Sequence, residues 1–312
     1  MARSGGFDLK KRGEPVHGWV AFDKPYGMTS TQAVAKIRWI FNAEKAGHGG
    51  TLDPLATGLL PIALGEATKT VQWTMDGRKV YRFTAKWGEA RTTDDLEGEI
   101  SQTSDVRPAS IDIESILYQF RGDILQTPPA FSAIKVNGER AYDLARAGAA
   151  VGLAPRPVFV AELRLTDLPD ADHATFEVVC GKGTYIRSLA RDMGRALGCF
   201  GHVTLLRRIA VGSFAEADMI PLESLEELRH KAPGDIAKKG VLRPIETVLD
   251  GIPVLAVTDA EGQRLRQGQS VLLRGANAPI ASDAVLVTWG GKPLGICSIE
   301  QGSLKPKRLF NL

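Results

Sequence analysis

Residues 47–58, Gly-His-Gly-Gly-Thr-Leu-Asp-Pro-Leu-Ala-Thr-Gly, constrain this chain more than any other stretch. The glycines at 47, 49 and 50 permit backbone angles and close approaches that other residues cannot reach. Pro54 fixes its own φ and biases Asp53 away from helix. The expected result is a stiff, irregular loop with one acid, Asp53, at its middle. The apolar run from Leu55 to Leu64 should anchor that loop in a core. Two readings of Asp53 stand at this point. A carboxylate held in a stiff loop is pre-positioned for chemistry. An Asp before Pro equally suits the cap of a helix starting at Pro54.

At 312 residues the chain exceeds the usual size of a single core, which points to two domains. A 44% hydrophobic and 24% charged composition suits a soluble globular protein. Net charge is only +3, so a nucleic-acid partner would need clustered basic residues. The cysteines, Cys180, Cys199 and Cys297, are odd in number and lack zinc-like spacing. That argues against structural zinc and a disulfide framework, and for free thiols in a reducing cytoplasm. Residues 1–14 have no apolar stretch like that of a secretory signal, and no run of 18 apolar residues spans a membrane.

Periodicity places the elements. Residues 1–15 form a polar tail, 16–22 a strand and 23–30 a turn. Thr29 or Ser30 can cap a helix over 31–41 that aligns Val34, Ile37 and Ile40. Residues 80–87 alternate as a strand, 89–99 form an acidic loop and 111–120 a helix. Residues 124–150 start as a loop around Pro128-Pro129, with a short helix over 139–148. Strands follow at 158–165 and 175–180, then a Gly-Lys-Gly-Thr turn and a helix over 185–197. Residues 202–214 read as strand and 221–230 as helix. From 254 onward only short strands remain, a small all-β domain.

Several residues could carry chemistry, each with a plainer reading. Lys24 in a strand-to-helix turn is ordinarily solvated. Tyr81 in mid-strand ordinarily packs. Arg187 stands just after a Gly-rich turn, where free N–H groups attract anions. The turn itself lacks phosphate-loop spacing. Leu206 reads as core strand packing, and His48 as a lone loop histidine. Lys135, Arg140, Tyr142 and Arg146 interleave cations with an aromatic ring, a pattern that suits RNA.

The 47–58 stretch resembles the catalytic motif of the TruB family of tRNA pseudouridine synthases. Three further stretches resemble that family's motifs in the same order: 22–30, 180–189 and 205–208. The segment 126–142 resembles its tRNA-gripping insertion. The resemblance covers nearly all of 16–214. It implies an α+β fold: a pseudouridine-synthase catalytic domain on a mixed, largely antiparallel sheet with flanking helices, then a small C-terminal PUA-like β-barrel. The expected divisions are 1–15 tail, 16–250 catalytic domain with an insertion at about 124–150, and 251–312 RNA-binding domain.

The implied activity is isomerisation of uridine 55 in the tRNA T-loop, on a base flipped out of its stack. Asp53 would be the catalytic carboxylate and Arg187 its ion-pair partner. Tyr81 would stack on the uracil, with Tyr185 and Leu206 lining its pocket. Lys24 would buttress the loop, His48 would lie near the substrate, and Lys135 and Arg140 would grip RNA. No cofactor or metal is implied. The expected partner is the T-stem-loop and the expected state a cytoplasmic monomer, away from membranes. Two other readings stay open: a pseudouridine synthase for another RNA, and a non-catalytic RNA-binding or tRNA-folding protein of the same fold.

Overall fold

The computed structural model describes residues 13–132, 134–136, 138–142, 152–231, 240–275 and 278–312. Most of the expected tail and residues 143–148 of the expected short helix lie outside them. Ten described strands form one mixed sheet. Its main path runs Ile220–Pro221, Gly18–Lys24, Thr57–Leu64, Gly201–Val211, Lys79–Trp87, His173–Cys180, Arg156–Asp167 and Gly122–Gln126. Neighbours along this path are antiparallel except at two places. Ile220–Pro221 runs parallel to Gly18–Lys24, and Thr57–Gly58 parallel to Arg207–Arg208.

The second parallel contact matters most. It sets Arg208 beside Gly58, while on its other side Arg208 pairs with Tyr81. Gly58 sits at φ +95°, and a Cβ there would come within 2.3 Å of the Arg208 carbonyl. Only glycine lets the two strands meet so closely.

Two helices cover one half of the sheet and share a core with it. Ser30–Ile40 starts with a capping box, Thr29 and Gln32 satisfying each other's backbone N–H groups. It buries Ala33, Ile37 and Ile40 against Val20, Phe22, Leu60 and Ile62, and Leu225 of helix Leu222–Lys231 closes this cluster. Helix Ile186–Ala196 packs Ile186, Leu189, Ala190 and Met193 on Phe83, Phe176 and Val178. Apolar residues at i, i+3, i+4 and i+7 give it one buried stripe.

The C-terminal part holds a five-stranded sheet, Val254–Val257, Ser282–Trp289, Lys292–Glu300, Ser303–Leu309 and Val271–Leu272 in order, curled into a half-barrel. It also holds a helix, Asp259–Arg266, where the sequence reading expects only strands. The signal for it is present: Thr258 and Glu261 form a capping box. Gly262 hides it, because glycine inside a helix reads as a breaker. Here a Cβ at 262 would meet the Trp289 ring at 2.6 Å, so the helix gives up a side chain to pack on that ring.

The C-terminal sheet also shares a core with the large one. Leu286, Ile296 and Phe310 pack with Trp19, Ala21, Leu59 and Phe214. Lys69 donates to the Leu309 carbonyl at 2.6 Å, and the Asn311 N–H donates to Glu66.

Three smaller expectations need correction. The acidic stretch is not all loop: Glu89–Arg91 pairs with Ile100–Thr103. Residues 139 and 140 are extended rather than helical, pairing with Lys135–Val136 in a two-stranded ribbon. No helix begins at Pro54: the chain turns there and enters strand Thr57–Leu64. The helix-cap reading of Asp53 fails on that ground.

Candidate active site

The loop carrying Asp53 is held by side chains from distant elements, which accept or supply its backbone hydrogen bonds. Ser30, at the start of its helix, receives the Leu52 N–H and donates to the Leu52 carbonyl, both at 2.9 Å. Lys24 is fully buried and donates to the carbonyls of Met28 at 2.7 Å, Pro25 at 3.0 Å and Pro54 at 3.2 Å. Arg208 donates to the carbonyls of Leu59, Gly50 and Thr51 at 2.8, 3.0 and 3.3 Å. Carbonyls taken out of water need such partners, since each left unpaired would cost about 1–3 kcal/mol. Of the three glycines, Gly50 uses the left-handed region, at φ +118°. Gly49 serves by its size, since a Cβ would collide with Thr74.

Burial pushes the Lys24 ammonium down to about 8, against the attraction of Asp53 and with repulsion from Arg208. Lys24→Met should strand three carbonyls and lower stability by about 2–3 kcal/mol. It should also slow any reaction that depends on loop geometry. Denaturant melts and single-turnover rates on the same variant check both effects.

A cavity of about 310 Å³ opens beside this loop. Asp53, Tyr81, Tyr185, Arg187 and Leu206 all line it, with Ser132, Lys79 and Arg208. The Asp53 carboxylate lies 3.0 Å from Arg187 Nε. The pairing is ionic rather than an aligned hydrogen bond, because Nε has no acceptor in hydrogen-bond geometry. The rest of the guanidinium is fixed. It donates to the carbonyls of Thr93 at 3.0 Å and Phe131 at 2.9 Å, and sits 3.5 Å from the Asp95 carboxylate. Arg187 is 5% exposed, whereas the Asp53 side chain is 40% exposed and reachable from the cavity.

Burial raises the phenols of Tyr81 and Tyr185, so both stay protonated near neutral pH. Lys79, two residues before Tyr81 on the same strand, also lines the cavity, and burial pushes its ammonium down to about 8. The cavity therefore offers one accessible carboxylate, two neutral phenols and an apolar side at Leu206. That set suits a planar, polar-edged ring beside a reactive acid.

Four expected residues stand elsewhere. His48 is half-buried; its Nδ1 accepts the Gly50 N–H at 3.3 Å, so it shapes the loop rather than lining the cavity. Burial lowers its imidazole pKa, with Arg208 adding to the effect. Lys24 lies beneath the loop, as a buttress would. Lys135 and Arg140 fall on the two-stranded ribbon, paired with each other through their backbones. Arg146 lies outside the described residues.

Sequence reasoning gave no role to Arg208 or Asp95. Arg208 carried a signal, as an arginine amid the apolar residues of strand 201–211. A fully desolvated guanidinium needs several acceptors, and the loop carbonyls supply them. Asp95 reaches Arg187 only through the fold.

Comparison with known proteins places the chain. Residues 38–186 match "TruB family pseudouridylate synthase (N terminal domain)". Residues 187–250 match "tRNA pseudouridylate synthase B C-terminal domain", and 253–310 match "Pseudouridine synthase II TruB, C-terminal". The protein named tRNA pseudouridine synthase B of Bradyrhizobium diazoefficiens is 57% identical over 98% of this chain and 89% of its own. That of Brucella anthropi is 54% identical over 99% of both. Among solved structures, "Crystal Structure of a Cbf5-Nop10-Gar1 Complex" is similar at 26% identity and TM-score 0.70, covering 95% of this chain and 85% of the other. "Structure of H/ACA RNP bound to a substrate RNA containing 2'-deoxyuridine" shares the fold at 22% identity and TM-score 0.72, covering 98% and 92%. With its sheet, its cavity and these matches in hand, the chain belongs to the TruB family of pseudouridine synthases.

Proposed function

We propose that the chain isomerises uridine 55 in the T-loop of tRNA to pseudouridine, with Asp53 as the catalytic carboxylate. The observation that carries this reading is the accessible Asp53 carboxylate, paired with a buried Arg187, on a cavity also lined by Tyr81, Tyr185 and Leu206. The target base is flipped into the cavity, the N1–C1′ bond breaks, the base turns and C5 bonds to C1′. The proton lost from C5 is balanced by one gained at N1. Product and substrate are isomers, so the reaction consumes no cofactor.

Each cavity residue then has a task. Tyr81 stacks on the base and assists proton removal from C5. Tyr185 and Leu206 hold the ring, and the RNA bound over the cavity keeps water from the detached base. Lys24 and His48 keep the loop in shape around Asp53. The basic segment 124–150, through Lys135 and Arg140, grips the T-stem-loop by phosphate contacts. Residues 16–250 carry the chemistry, residues 251–312 add RNA-binding surface, and the chain works as a cytoplasmic monomer.

Incubation of the purified protein with an unmodified tRNA transcript, followed by pseudouridine mapping, tests the reading. One new pseudouridine, at position 55, is expected. Modification of another position, or of another RNA only, would replace the substrate. Tight tRNA binding with no pseudouridine would favour the RNA-folding role.

A further inference from the structure

The Ser132 hydroxyl stands out among the cavity-lining groups. Ser132 is 4% exposed, yet its Oγ has no hydrogen-bond partner in aligned geometry. The Tyr185 phenol lies beside it closely enough for Ser132 to counter the burial-driven rise of the phenol. Both side chains line the cavity that holds Asp53. A buried hydroxyl whose one neighbour is poorly aligned is incompletely satisfied, and native structures rarely leave one so without a use.

The backbone around Ser132 is pinned on both sides. The preceding carbonyl, that of Phe131, accepts from Arg187, the same guanidinium that faces Asp53. The Ser132 carbonyl accepts the Tyr142 N–H at 3.0 Å. Ser188 donates to the Thr127 carbonyl at 2.9 Å, and Arg191 donates to it at 2.8 Å. The segment that leads into the basic ribbon is thus tied to helix Ile186–Ala196, and its tie beside Ser132 is the arginine of the Asp53 pair.

We propose that Ser132 is a specificity-determining residue whose hydroxyl donates a hydrogen bond to a carbonyl oxygen of the uracil held in the cavity. This rests on the pseudouridine-synthase reading above. The hydroxyl can turn from the phenol toward the base without moving the backbone, since rotation about χ1 alone redirects it. Placing this group next to the Arg187 tie also means that docking of the RNA-gripping segment and recognition of the base share one anchor.

Single-turnover rates on a T-stem-loop RNA, with uridine, 2-thiouridine or 4-thiouridine at the target position, test the proposal. Sulfur accepts hydrogen bonds poorly. One of the two thio-substrates should slow the wild-type protein, and that slowing should vanish in Ser132→Ala. On uridine itself, Ser132→Ala should be roughly tenfold slower, with melting temperature and RNA affinity unchanged. Ser132→Thr keeps the hydroxyl and should hold the rate, whereas Ser132→Val matches its size without the hydroxyl and should lose it. A Ser132→Ala rate within twofold of wild type, equal rates for Thr and Val, or an undiminished thio penalty in the alanine variant would each overturn the proposal. An inactive wild type would instead defeat the pseudouridine-synthase reading, so the two failures are distinct.

Discussion

Arg187→Met is expected to abolish pseudouridine formation and to lower the melting temperature by roughly 5–15 °C. The thermal effect follows from what the guanidinium touches. It is 5% exposed, sits 3.5 Å from the buried Asp95 carboxylate and donates to the carbonyls of Thr93 and Phe131. Removing it leaves one buried charge uncompensated and two carbonyls unpaired. Breaking a buried pair from one side commonly costs about 3–5 kcal/mol. The contact with Asp53 adds little to that figure, because the Asp53 side chain is 40% exposed and water screens it.

The chemical effect follows from position. Arg187 faces Asp53 and, through Phe131, fixes the backbone next to Ser132 on the cavity wall. Arg187→Lys separates the two roles. An ammonium keeps one charge but loses the planar fork that reaches several acceptors at once. Its melting temperature should lie between those of wild type and the Met variant, with the rate still severely reduced. A Met variant that melts and turns over like wild type would show that neither role is real.

Much of the fold is legible in the sequence where one local rule decides it. The strand at 79–87 and the helix at 186–196 follow from period-2 and period-3.6 patterns that packing then uses. The cap at Thr29 is legible because Gln32 completes its box. The sequence misleads where local and long-range demands compete. Asp53-Pro54 reads as a helix start, but the following residues, Thr57–Leu64, are taken by the strand beside Gly18–Lys24. Gly262 reads as a breaker until the Trp289 ring that occupies its missing side-chain space is known.

The candidate site divides in the same way. The acid, its arginine partner, Tyr185 and Leu206 are recoverable from motifs, because each motif carries its own residue, and Tyr81 is recoverable only from its match to the family's pattern. The support is not. Ser30 and Leu52, or Arg208 and Gly50, lie far apart along the chain, and only the sheet register brings them together. The cavity position of Ser132 has the same origin, since it depends on two hydrogen bonds from Arg187 and Tyr142.

Asp53→Asn carries the largest expected effect of all. The substitution keeps size and shape and removes only the negative charge. No helix begins at Pro54, so no cap is at stake. Arg187 keeps Asp95 and its two carbonyl acceptors, so the fold should hold. The loop carbonyls stay bound to Lys24, Ser30 and Arg208, and the RNA-facing surface is untouched. The reaction, in contrast, loses the one carboxylate that lines the cavity, which should cost roughly 10⁴-fold or more in rate. The most direct measurement is the single-turnover yield of pseudouridine at position 55 of tRNA with Asp53→Asn, beside its melting temperature and tRNA affinity. The account predicts no detectable pseudouridine from a variant that melts and binds tRNA as wild type does. A yield near wild type from that folded, RNA-bound variant would contradict it.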